Sequence, residues 1–491
     1  MQHASFLLPP EQGGTGDGRL IRTWLSMDVR SPPGTLTLVP PEVGRVRNGQ
    51  VHLVSSVTAG RHQAQTAYPR GVPEDLPAST HTVVIGAGHA GLIMSRLLRQ
   101  AGREHVVLER RSTLGGGWQD RWDAFQLVTP NLLTDLPDHP YDAGDPNGFM
   151  TRDEIIARTA RYAEVIDAPV AIETEVRRVS VREAGSDAAR FVVETSRGTI
   201  RSVDVIGATG AFHIPRIPDL GLSPSITRVH AHDYRNPDAL PPGGVLVVGT
   251  GQTGVQLAEE LFEAGRHVTL SVGHCGRVPR RYRDRDYFWW IRQLVLHGEE
   301  TGTPLPTIGQ LPDPRMRFAC NPHLSGHGGG HDTNLRRFAA DGIRLVGRFD
   351  AADGTRARFR ADLEENLAFA DATFDQRFRP LFEAYIAASG LAVPPDDRQP
   401  FEFRVPEVTE LDLAAEGIST VLWTTGYAPD YGWLEVPVER QFGVPVHDRG
   451  ITDVPGLSFI GMLWQRDNAS ANLAGVARDA EYVASRWDVA V

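Results

Sequence analysis

The chain of 491 residues contains no lysine; all 50 of its basic residues are arginine. That absence excludes every mechanism that needs a lysine amine: Schiff-base catalysis, pyridoxal phosphate attachment, the Walker A phosphate loop and kinase chemistry. Cysteine is almost as scarce. Cys275 and Cys320 cannot build a disulfide framework, and there is no CxxC pair. A cytoplasmic, reducing location is expected. Positive charge is also short: 61 acidic residues give a net charge of −11, which argues against a general nucleic-acid binder. No apolar run approaches the ~18 residues of a membrane span. The opening MQHASFLLPPEQGG lacks the basic start and apolar core of a secretory signal. What remains is ordinary globular composition, 41% hydrophobic and 23% charged, long enough for several domains at roughly 100–200 residues each.

Residues 1–80 are rich in Gly, Pro, Ser and Thr and carry SPPG, VPPE and GVPEDLP. An irregular N-terminal extension is expected, with short strands near Leu36–Val39 and Val51–Val57. Order begins at His81. HTVVIGAGHAGLIMSRLLRQAGREHVVLER reads as strand Thr82–Ile85, glycine turn, amphipathic helix and strand Val106–Leu108, a βαβ unit. GGVLVVGTGQTGVQLAEELFEAGRHVTLSVG repeats that order with strands Val245–Val248 and His267–Ser271. The two turns, at Gly86 and Gly249, lie 163 residues apart. The fold class is therefore α/β, with parallel sheets in two Rossmann-like dinucleotide-binding domains. Further along, the patterns predict a mobile segment Asp135–Gly148, a helix Asp153–Ile166 and β runs Val170–Val179, Phe191–Thr195 and Val203–Ile206. They also predict a long helical stretch Asp362–Gly390, strands Ser419–Thr424 and Leu457–Ile460, and a closing helix Gly475–Arg486.

In the first turn, Gly86 makes the tight bend, Gly88 lets a pyrophosphate approach the backbone, and Gly91 lets helix and strand pack closely. His89 and Ala90 open the helix whose N-terminus faces the phosphates. Glu109, 18 residues past Gly91 and followed by Arg110, can accept from a ribose hydroxyl. The second turn, Gly249-Thr250-Gly251-Gln252-Thr253-Gly254, is followed by a strand that ends at Ser271 without an acid. Arg277, Arg280, Arg281, Arg283 and Arg285 come next. A hydroxyl and arginines welcome a 2′-phosphate where a carboxylate would repel it, so NADPH is expected over NADH, held by Ser271 with Arg277 or Arg280. Two dinucleotide sites suggest one flavin and one nicotinamide cofactor. His323, His327 and His331 recur every fourth residue, but the glycines among them argue for a loop near the nicotinamide rather than a metal site.

In this order, several further elements carry a resemblance: Leu114-Gly115-Gly116-Gly117-Trp118, Leu127-Val128-Thr129-Pro130-Asn131, Ala208-Thr209-Gly210, Thr424-Thr425-Gly426-Tyr427 and Gly461-Met462-Leu463-Trp464-Gln465. With the two turns, the chain over most of 81–491 resembles the class B flavin-containing monooxygenases. Within them it looks most like a bacterial branch with RVPRRYRDRD- and NPHLSGHGGGHDTNL-like stretches, and more distantly like the indole-pyruvate monooxygenases of plants.

The resemblance implies a split FAD domain (81–235 and 400–491) with an NADPH domain (236–399) inserted. FAD would contact Gly117, Trp118, Gln126 and Thr129, with Trp464 at the return of the chain; Thr425 and Gly426, of the Thr-Gly-Tyr-like element, would also bind cofactor. Asn131 would be the catalytic asparagine beside the flavin ring. The activity implied is a NADPH-consuming monooxygenase that inserts one atom of O2 into a small organic substrate through a C4a-hydroperoxyflavin, with N- or S-oxygenation favoured. Baeyer–Villiger oxygenation, or NADPH oxidase or quinone reductase activity, are the alternatives. His230 and Tyr234 keep part of the Baeyer–Villiger fingerprint, but Ile226 stands where its glycine belongs. Asn468 and Asn472 depart from the branch pattern near the expected substrate pocket.

Overall fold

The computed structural model describes residues 75–182 and 188–487. The strands expected near Leu36–Val39 and Val51–Val57 lie outside them. The first βαβ unit forms as its pattern dictates. The Val-Val-Ile run of β1 (Ser79–Ile85) is buried on both faces, which suits the interior of a parallel sheet. It leads through the glycine turn into α1 (His89–Gln100), which buries Leu92, Met94 and Leu98. The chain then reverses at Gly102 into β2 (His105–Leu108), which pairs parallel with β1 from Thr82↔His105 to Ile85↔Leu108.

On its other side β1 pairs parallel with Gly198–Gly207, and Phe191–Thr195 and Val176–Val181 extend the sheet antiparallel. The single run expected at Val170–Val179 is two strands. Val170–Ala171 pairs with β2, and the chain turns at Glu173, φ +52°, before Val176 joins the other edge. Leu457–Phe459 returns from near the C-terminus to lie parallel beside Val205–Gly207 in the same sheet.

The second unit is a five-stranded, all-parallel sheet built on β3 (Gly244–Val248), α2 (Gln252–Glu263) and β4 (Val268–Ser271). Arg344–Val346 lies outside β4, and Ile418–Trp423 and Thr227–His230 lie on the far side of β3. The second sheet takes its edge strand from before residue 236 and one of its inner strands from after residue 399. One hydrophobic core, from Val84 and Leu92 to Val247 and Leu257, runs through both units.

The stretch Asp362–Gly390 is helical but not continuous: Leu363–Thr373 passes through a widened turn, Phe374–Phe378, into Arg379–Ser389. Pro380 has no N–H to give the preceding turn, which accounts for the break. Phe374 and Phe382 join Tyr282, Tyr287 and Trp290 in a separate aromatic core, with Trp290 and Phe382 stacked 5.6 Å apart. Tyr282, Tyr287 and Trp290 of the RYRDRDYFWW segment are thus interior, while Arg281, Asp284 and Arg285 are exposed. Asp286 caps the helix Tyr287–Thr301, its Oδ1 accepting from Phe288 N at 2.8 Å. The closing helix is α3 (Val476–Ala484), which packs on α1 through Val476, Ala480 and Val483.

Cys275 and Cys320 do not make a framework, but they do make one bridge: a disulfide joins them, with 6.1 Å between their Cα atoms. Backbone pairing of Arg277 with His323 brings their two segments side by side. Among the described residues no helix is long and apolar enough to cross a membrane.

Candidate active site

Both glycine turns are built alike. Gly86 and Gly249 have φ of +106° and +107°, a region that glycine alone enters freely. A Cβ on Gly91 would sit 1.9 Å from Gly86 O, and one on Gly254 would sit 2.0 Å from Gly249 O. Helix and strand therefore approach at distances that admit no side chain. Gly88 and Gly251 cap α1 and α2 with extended backbone and no side-chain cap, leaving the first-turn N–H groups for an anion.

At the first turn Glu109 is buried at the end of β2. Its Oε2 accepts from Ala87 N and its Oε1 from Arg111 N, each at 3.0 Å. The carboxylate is fixed against the turn while keeping lone pairs for a sugar hydroxyl. Arg110 beside it is exposed. The glycine run Gly115–Gly117 passes over the turn, with Gly116 Cα 4.0 Å from the Cβ position of Gly88. Trp118 follows, its ring 5.9 Å from that of Phe125. The return segment reaches the same place: a Cβ on Gly461 would meet Ala90 Cβ at 2.8 Å. Trp464 in that segment has φ +53°, and the buried Arg317 donates to Leu463 O at 2.9 Å.

Three of the expected flavin-site residues hold buried polar atoms with no partner in the chain: His89 Nε2, Gln126 Oε1 and Asn131 Oδ1. Burial pushes the His89 imidazole down to about 4, so it is neutral near pH 7. Unpartnered buried polar atoms are costly unless a ligand satisfies them. With the open face at Gly88 and the tethered Glu109, these residues fit a flavin dinucleotide. Asn131 differs from expectation in one respect. Its amide N–H groups are taken by Tyr141 Oη at 3.1 Å and Asp145 O at 2.9 Å, so the atom left for a ligand is an acceptor. The segment Asp135–Gly148, expected to be mobile, is held by these bonds and by Asp135 Oδ1 accepting from Tyr141 N at 2.9 Å. Thr129, close in sequence to Asn131, is half-buried.

At the second turn two of the expected residues already have partners within the chain. Ser271 is buried, and its Oγ donates to Gly347 O at 3.0 Å and accepts from Phe349 N at 2.9 Å. It ties the sheet together. Arg280 is also buried. It donates to Val128 O at 2.8 Å and to Asp286 Oδ1 at 2.6 Å, with its guanidinium 5.0 Å over the Phe149 ring. It joins the second lobe to the segment that carries Asn131.

Arg277 pairs with Asp371 at 2.8 Å but keeps 20% of its side chain exposed, which leaves it as the remaining candidate of the three for a 2′-phosphate. Replacing Arg280 with alanine should therefore leave the preference between NADPH and NADH unchanged. It should cost roughly 3 kcal/mol of stability, because Asp286 loses its buried partner; denaturant melts and cofactor kinetics on one preparation separate the two effects.

Gln252 is occupied by the backbone of Leu324, to which it donates and from which it accepts. Thr253 is half-buried in the first turn of α2. Thr425 donates to Arg216 O, and Gly426 O accepts from His230 Nε2 at 3.1 Å, so both brace a crossing between the lobes. The three histidines do not converge. His323 is fully buried, while His327 and His331 pair with Glu263 at 3.0 Å and Glu259 at 2.6 Å on α2. No metal-binding cluster occurs among the described residues. The loop instead packs on the first lobe, where a Cβ on Gly326 would meet Leu127 O at 1.9 Å.

Comparison with known proteins agrees with this geometry. Residues 83–296 match the family model described as pyridine nucleotide-disulphide oxidoreductase. The chain is 30% identical over 406 residues to an uncharacterized CzcO-like oxidoreductase of Geobacillus kaustophilus, covering 82% of this chain and 96% of that protein. It is also 30% identical over 235 residues to flavin-containing monooxygenase FMO GS-OX-like 2 of Arabidopsis thaliana, over 40% of this chain and 50% of the relative. The chain belongs to the class B flavin-containing monooxygenase family.

It is thus a flavin-dependent oxidoreductase with FAD and NADPH as cofactors. The fold agrees: a flavin-containing monooxygenase from Stenotrophomonas maltophilia superposes with a TM-score of 0.57 at 20% identity, over 84% of this chain and 98% of that one. In this monooxygenase, sequence reasoning missed the residues that hold the site together rather than line it. Tyr141 and Asp145 anchor Asn131, and Arg317 anchors the return segment. No local motif marks them: Tyr141 and Asp145 stand 10 and 14 residues from Asn131, and Arg317 stands 146 residues from Leu463.

Proposed function

We propose that this monooxygenase transfers one oxygen atom from O2 to a soft nucleophile, an amine nitrogen or a sulfide sulfur, at the expense of NADPH. FAD bound at the first turn supplies the oxygen-activating redox chemistry. The chain's part is placement. The N–H groups ahead of α1 hold the FAD phosphates, and Glu109 holds a ribose. The corresponding groups ahead of α2 hold NADPH, and the loop Leu324–His331 against Leu127 keeps water from the space between them.

The observation that favours nitrogen or sulfur over a ketone is the state of His230. It is buried, bonded to Gly426 O and to His232 N, which donates to its Nδ1 at 3.1 Å, and burial lowers its pKa. Ile226, buried in the core beside the second sheet, fills the place of the fingerprint glycine. A histidine engaged on both ring nitrogens is poorly placed to take part in Baeyer–Villiger chemistry. NADPH-dependent turnover of a thioether and a tertiary amine, with a cyclic ketone left unchanged, is the expected outcome. Ester formation from the ketone at a comparable rate would reverse the assignment.

A further inference from the structure

We infer that Cys275 and Cys320 form a reversible thiol–disulfide site that sets the affinity of the second turn for its nucleotide; this rests on the reading of residues 249–254 as the NADPH seat. The open face of the second glycine is where a pyrophosphate comes closest to the backbone. At the first turn the facing chain is Gly116, flanked by glycines, and it puts no side chain over Gly88. At the second turn the facing atom is Cys320 Cβ, 3.4 Å from the Cβ position of Gly251. The disulfide holds it there. Cys275 is buried just past β4, in a segment that pairs with the backbone at His323, and the bond fastens Cys320 to that fixed partner. Cys320 itself is exposed. A side chain that the first turn does without thus stands at the phosphate face of the second, and one covalent bond keeps it in place.

The exposure also decides the chemistry. An incoming thiolate reaches the Cys320 sulfur rather than the buried Cys275 sulfur. Attack by one thiolate of a dithiol breaks the Cys275–Cys320 bond, and Cys275 leaves as a thiolate and takes up a proton. The second thiol of the reductant then displaces Cys320 from the mixed disulfide. Two electrons and two protons pass to the pair, and the dithiol becomes a disulfide. The oxidised pair narrows the phosphate seat; the reduced pair frees Cys320 to move off Gly251.

The test titrates NADP⁺ into FAD-loaded protein before and after treatment with dithiothreitol and desalting, with thiols counted on the same samples. The expected result is no titratable thiol before reduction, two after it, and at least fivefold tighter NADP⁺ binding by the reduced form. Cys320→Ser should bind as tightly as the reduced protein whether or not dithiothreitol is added; Cys275→Ser serves the same purpose should that variant fold poorly. Equal affinity in both states, tighter binding by the oxidised form, or two free thiols under oxidising conditions would overturn the inference. NADP⁺ binding in neither state would contradict the reading of the turn, and the inference with it. Thiol exchange with unchanged affinity would leave that reading standing and remove the inference alone.

Discussion

Asn131→Ala should uncouple the enzyme: NADPH consumption near normal, hydrogen peroxide raised, and oxygenated product per NADPH reduced on the order of a hundredfold, about 3 kcal/mol, the scale for loss of one preorganised polar group. Asn131 is buried, its amide N–H groups are spent on Tyr141 and Asp145, and its Oδ1 has no partner within the chain. An orphaned acceptor at 5% exposure, in the segment that resembles the family's flavin-side asparagine, is accounted for when a bound group donates to it. Alanine removes that acceptor and also the two anchors that hold Asp135–Gly148, whereas Asn131→Asp retains an acceptor oxygen and should recover part of the coupling. A purely architectural role predicts a different pattern, with lower flavin content and stability but an unchanged ratio of product to NADPH on flavin-loaded protein. An unchanged ratio would remove Asn131 from the active site.

The second large effect separates the two turns. Gly91→Ala places a Cβ 1.9 Å from Gly86 O, and Gly254→Ala places one 2.0 Å from Gly249 O. Each contact is with backbone and cannot be relieved without moving the turn. Gly91→Ala should be purified with little or no flavin. Gly254→Ala should keep its FAD and its visible spectrum but lose NADPH affinity by on the order of a hundredfold, about 3 kcal/mol of distortion. Flavin stoichiometry after acid release and NADP⁺ titration give the two numbers. Loss of flavin from Gly254→Ala, with Gly91→Ala unaffected, would invert the assignment of the turns.

How much of this was legible in sequence depended on whether the signal was local. The βαβ units were, because a Val-Val-Ile run, a glycine turn and an amphipathic helix are contiguous and enforce one another. The helix expected at Asp153–Ile166 forms at Arg152–Val165 because Thr151 and Glu154 make a reciprocal cap. Positions decided by distant partners were not legible. Nothing near Ser271 says that its hydroxyl will be taken by Gly347 and Phe349, or near Arg280 that Val128 and Asp286 will claim it. Both have chemistry that suits a 2′-phosphate, and both are engaged within the fold. The same holds for the sheet boundaries. Ser419–Thr424 reads as an isolated strand and Thr227–His230 does not read as a strand at all; only the register Trp423↔His230 shows that the two segments are neighbours.

The activity proposed for this chain is delivery of an oxygen atom from O2 to an organic molecule with FAD and NADPH as cofactors. Isotopic labelling tests it most directly. Purified FAD-loaded protein is given NADPH, ¹⁸O2 and the thioether or tertiary amine that it turns over fastest, and product mass is measured against NADPH oxidised. One heavy oxygen per product molecule and close to one product per NADPH are expected. Product without the label, or NADPH oxidised with hydrogen peroxide as the sole oxygen product across both substrate classes, would contradict the proposed activity and leave an oxidase or reductase on the same fold.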